Sequence, residues 1–113
     1  MPTIEHTTAW QQARTLADEV YVQFGISFDI DYENQTCSAA TLLSRSLAHS
    51  FGEEDKGEQR RALLQAKGYC SDLAAMIRSG IKLKKITPER AEILIKKCDD
   101  LSDLIRVVMK QYG

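Results

Sequence analysis

A chain of 113 residues has room for one domain of ordinary size and excludes two. Its composition, 43% hydrophobic and 27% charged, is too apolar for a disordered segment. Fifteen basic against sixteen acidic side chains leave a formal charge of −1, which excludes a global field drawing the protein to nucleic acid or an anionic membrane.

The first predicted element runs from Trp10 through Ala13, Ala17, Val20 and Phe24, apolar in steps of three and four, with Ala9, Leu16 and Tyr21 widening the stripe. Gly25 ends it. Residues 26–34 have no helical period, carry Asp29, Asp31 and Glu33, and read as a loop. A second helix holds Ala40, Leu43, Leu47 and Phe51 and closes at Gly52. After a polar connection over residues 53–57, Leu63, Ala66, Cys70, Leu73, Ile77 and Ile81 mark a third helix with basic last turns, which suit the negative end of its dipole. The sharpest boundary is Thr87-Pro88-Glu89: threonine caps, proline fits the first helical position, and an early glutamate matches the positive end. The fourth helix then carries Ala91, Leu94, Cys98, Leu101, Ile105, Val108 and Tyr112, with Ile93, Leu104 and Val107 alongside. Long helices with short connections predict an all-α, antiparallel up-down-up-down four-helix bundle, one domain over residues 1–113. The stripes of the first and fourth helices are wider than one seam needs, and the excess points to burial against another subunit, with Ile93 and Val107 as the expected contacts.

The segments together resemble the four-helix bundle family of 23S ribosomal RNA intervening-sequence proteins. Trp10-Gln11-x-Ala13 with the later Val20-Tyr21 is similar to that family's opening pattern. Ala39-Ala40, Leu47-Ala48 and Phe51-Gly52 resemble its second helix; Glu58, Arg61, Leu63, Ala66-x-Gly68 and Asp72-Leu73 its third; Ile86-Thr87-x-Glu89 the start of its fourth. Departures fall at Cys37-Ser38, Ser44, Ser46, His49, Ser50, Gln59 and Ala62, which marks a diverged branch. The resemblance implies a homo-oligomer, a five-membered ring, with no known catalytic residues and an unsettled link to nucleic acid.

Each candidate site meets a plainer reading. Residues 29–33 have the carboxylate spacing with which a calcium loop begins, but Asn34 stands where that loop needs glycine and Ala40 where it needs glutamate. A di-iron bundle wants Glu three residues before each histidine, and His6 and His49 follow Thr3 and Ser46. No metal or other cofactor is expected. A nucleophile–base pair would need His6 or His49 to meet a serine or cysteine across the fold, so exposed or capping histidines are preferred. Gly68, mid-helix, predicts close approach of another helix, and Trp10 predicts packing rather than base stacking.

Cys37, Cys70 and Cys98 form no Cys-x-x-Cys pair and read as reduced core residues. No run reaches the roughly 18 apolar residues of a membrane span, and the first residues lack the look of a secretory leader, so a cytoplasmic protein without membrane contact is expected. Arg78, Lys82, Lys84 and Lys85 form the one basic cluster with a binding alternative, because such a group holds phosphates. Topology sets it beside Asp29, Asp31 and Glu33, which nearly neutralise it, and this predicts no appreciable binding of RNA or DNA at physiological salt. The preferred reading is a non-enzymatic assembly or interaction module with no small-molecule substrate; the alternative is a nucleic-acid-binding accessory protein using that basic end.

Overall fold

Capping side chains set where three of the helices begin. The computed structural model describes residues 2–25 and 30–112, and these hold four helices and no strand: α1 (Ile4–Phe24), α2 (Ile30–Gly52), α3 (Lys56–Lys82) and α4 (Pro88–Tyr112). The Thr3 hydroxyl accepts from the His6 amide at the start of α1, and the Asp55 carboxylate accepts from the Glu58 amide at the start of α3. Thr87 does the same for Arg90, with Pro88 as the first residue of α4, so the predicted start of that helix stands where it was expected.

Side-chain contacts settle the directions. The start of α1 meets the end of α2 through His6 and Ser50, and the end of α4 through Thr3 and Gln111. The end of α1 reaches the start of α4 through Glu19 and Lys97, and Tyr32 at the start of α2 donates to the Met76 carbonyl near the end of α3. Consecutive helices therefore run antiparallel, α1 closes against α4, and the result is the expected four-helix bundle. One cluster forms the core. Leu16, Val20, Leu43, Leu47, Leu63, Leu73, Ile77, Leu94, Leu101 and Ile105 fill it, and they come from all four stripes. Trp10, Ala17, Ile81, Leu104 and Tyr112 pack at its edge, half-buried.

Several expectations change. Helix α1 starts at Ile4, six residues before Trp10, because Thr3 caps it and His6 is buried in the bundle. The expected loop over 26–34 becomes helix from Ile30 onward, while residues 26–29, Asp29 included, lie outside the described residues. Asp31 and Glu33, read as loop charges, occupy the first turn of α2, where the helix dipole favours them. Gly68 is exposed with open space around it, so no helix approaches it. The close approach falls at buried Gly80, where a Cβ would collide with the Tyr32 hydroxyl.

The turn after α3 is a Schellman motif: the Lys85 amide donates to the Gly80 carbonyl and the Lys84 amide to Ile81. Lys84 takes the left-handed position, φ 58°, that such a turn requires. The turn thus directs Lys84 outward and places Ile86 in the core.

Candidate functional site

A buried histidine comes first, since it supplies the chemistry that the sequence left open. His6 and Ser50 are both fully buried, with Nε2 and Oγ 2.9 Å apart. Ser50 has a single proton, and its hydroxyl donates it to the Leu47 carbonyl at 2.7 Å. His6 must then donate from Nε2, which leaves Nδ1 to accept from the Tyr112 hydroxyl at 3.0 Å. Tyr112 in turn accepts from the Thr3 amide. Phe51 and Tyr112 stack edge-on against the imidazole, Trp10 covers Phe51, and the Arg14 guanidinium lies over Trp10.

The expectation of exposed or capping histidines thus fails for His6, while His49 is exposed. The serine–histidine contact nevertheless has the wrong polarity for nucleophilic catalysis. A general base must present a bare nitrogen to the hydroxyl, whereas this imidazole presents N–H and the serine proton points to a carbonyl. Neither side chain reaches solvent. Burial also holds the imidazole below its usual range, so it stays neutral. The cluster is a polar clasp joining α1, α2 and α4.

The three cysteines are free and buried. Burial pushes the thiols of Cys70 and Cys98 up to about 12 and raises that of Cys37. Among the described residues, no group of three or more histidine, cysteine, aspartate or glutamate side chains has the arrangement of a metal site. No helix among them is long and apolar enough to cross a membrane.

At the end where α3 turns into α4, Lys85 forms an ion pair with buried Glu33 at 3.2 Å. Arg78, Lys82 and Lys84 are exposed and have no ion pair among the described residues; Asp31 and Glu89, in the first turns of α2 and α4 at this end, are exposed as well. The predicted cluster is thus split, with one member tied to the fold and three facing solvent.

On the outside of α4, Ile93 and Val107 are 48% and 44% exposed. They share a line with Leu104, Lys97 and Asp100. Helix α1 offers a matching line, because Ile4 and Val22 are exposed and stand in register with Thr8, Gln11 and Thr15. The two lines face each other across a groove of about 330 Å³ between α1 and α4, polar in its middle, where Glu19 accepts from Lys97. Antiparallel packing sets Ile4 toward the Val107 end and Val22 toward the Ile93 end, so apolar residues stand at both ends of this face.

A second basic group escaped the sequence reading. Between the first half of α3 and the end of α4 runs a groove of about 400 Å³ lined by Arg60, Leu64, Lys67, Arg106, Met109 and Lys110. The signal in the sequence was two pairs, seven and four residues apart on different helices. Only the antiparallel register of α3 and α4 makes them one patch.

The comparisons agree with the fold. The family model described as 23S rRNA-intervening sequence protein matches residues 5–107. A crystal structure described as a protein of unknown function from the S23 ribosomal protein family of Bacteroides thetaiotaomicron VPI-5482 superposes with a TM-score of 0.88. It is 11% identical, and the match covers 95% of this chain and 99% of the other. No curated protein matches the chain.

Proposed function

The chain belongs to the 23S rRNA-intervening sequence protein family, and from that membership we propose that it is a non-enzymatic, homo-oligomeric interaction module of five subunits working in the cytoplasm. The observation that carries this reading is the α1–α4 face, where Ile4, Val22, Ile93 and Val107 stay exposed beside a well-filled core. Apolar residues set at the ends of one face, with polar ones between, suit contact with another subunit better than a solvated surface. A ring with an odd number of subunits joins two different surfaces of each copy. The groove between α2 and α3, lined in part by Leu42, Tyr69 and Met76, offers an apolar counterpart.

Light scattering at micromolar concentration tests the reading, and a mass near five times that of one chain is expected. A monomer would refute it. Replacing Ile93 or Val107 with aspartate should lower the mass before it unfolds the bundle, because a charge buried in an apolar contact is costly. Unfolding without dissociation would instead make these residues part of the protomer's own packing.

A further inference from the structure

The groove between α3 and α4 carries four cations and no acid among its six lining residues. Arg60 and Lys67 stand seven residues apart on α3, about 10 Å along its axis, and Arg106 and Lys110 four apart on α4, about 6 Å. Packed helices lie about 8–10 Å apart, so the charges spread over a patch roughly 10 Å on a side. The floor is Leu64, 51% exposed, and Met109, almost covered.

Helix stability does not account for this crowding. Lys110 suits the carboxyl end of α4, but Arg60 sits in the second turn of α3, near the end where a cation gains nothing from the dipole. Arg106 pairs with Asp103 at 2.6 Å in an exposed contact of little strength. Arg60, Lys67 and Lys110 have no ion pair among the described residues. Three uncompensated cations on one groove, in a chain of net charge −1, repel one another unless an anion lies between them.

The extent of the patch decides which anion. Four charges over roughly 10 Å are too dispersed for one small ion and match a row of charges. A bound amphipathic helix needs apolar anchors at three or four successive turns, and this groove has two apolar residues. Its walls are helical, so no open backbone edge is available to pair with an extended peptide. No aromatic ring lines it, which disfavours single strands held by base stacking. A nucleic-acid duplex offers one negative charge per about 1.7 Å of axis and needs neither anchor nor stacking platform.

We propose that the Arg60, Lys67, Arg106 and Lys110 groove binds the phosphate backbone of a nucleic-acid duplex. The site lies at the opposite end of α3 from Arg78, Lys82 and Lys84 and does not rest on the assembly reading.

The test titrates labelled RNA and DNA duplexes of about 20 base pairs into the full chain at about 50 and 200 mM salt. Four phosphate contacts give a slope of log affinity against log salt of about −3 to −4, a loss of about 10²-fold across that range. In Arg60→Gln, Lys67→Gln the slope should shrink by about two, with helicity and particle mass unchanged. Preference for RNA would add recognition of the 2′-hydroxyl to backbone binding, and equal binding would leave phosphate as the whole of it; both support the site. The proposal is overturned by no binding at the lower salt or by binding unaltered in the double variant. It also falls if a Lys82, Lys84, Lys85 triple alanine variant loses binding instead, or if polyglutamate competes as well as unlabelled duplex, which would make the partner an acidic protein. A drop in mass on substitution would place the groove between copies and also overturn it. A monomeric wild type that still binds would refute the assembly reading alone.

Discussion

Tyr112 and Ser50 hold His6 as a neutral donor–acceptor, so acid should loosen the bundle through this residue. The imidazole of the unfolded chain titrates near 6.5, and burial holds the folded one lower. As pH falls below 6.5 the unfolded state takes up a proton that the folded state refuses, so stability is undiminished at pH 7.5 and declines below 6.5. Denaturant midpoints at pH 7.5, 6.5 and 5.5 check this. The decline should be shallower in His6→Gln, which lacks this buried imidazole. The buried thiols make a second expectation. With Cys70 and Cys98 at about 12, little thiolate exists at pH 8, so a disulfide reagent should leave both unlabelled in the native protein and label all three cysteines after denaturation. Fast native labelling of Cys70 or Cys98 would contradict the packing.

Within α3, two glycines should respond oppositely to alanine. Gly68 is exposed with nothing near its missing Cβ, so Gly68→Ala should stabilise by about 1 kcal/mol, the ordinary gain of removing glycine from a helix interior. At Gly80 the same methyl would displace the Tyr32 hydroxyl and break its 2.6 Å bond to the Met76 carbonyl. A loss of about 1–3 kcal/mol is expected, from overpacking and an unmade buried hydrogen bond. Thermal or denaturant unfolding of the two variants checks both signs. The contrast explains what was legible along the chain. Periodicity locates the stripes and the Thr87-Pro88 boundary because local geometry decides them. It misassigned the close-packed glycine because which turn a neighbouring tyrosine reaches depends on packing between helices.

At the scale of the molecule, the four-helix architecture was legible because each helix had to bury its own stripe. The charge clusters were legible only where they were contiguous in the chain. Arg78 to Lys85 announced themselves within eight residues, whereas Arg60 and Lys67 meet Arg106 and Lys110 only once α3 and α4 have docked. His6 stayed hidden for the same reason, since both of its partners are remote in sequence, 44 and 106 residues away. The polar clasp also has a consequence for the order of folding. Its Thr3–Tyr112 bond joins residues 109 apart, whereas the Gln59–Ser50 bond at the α2–α3 turn spans nine. Loop closure costs more as the span grows, so the hairpins gain their contacts before the chain's two ends are brought together. Contacts made after the barrier is crossed govern how fast a protein comes apart and leave its rate of assembly nearly untouched. Tyr112→Phe should therefore steepen nothing in a chevron plot; it should raise the unfolding limb several-fold and leave the refolding limb in place, making the joined ends a lock on the lifetime of the native state.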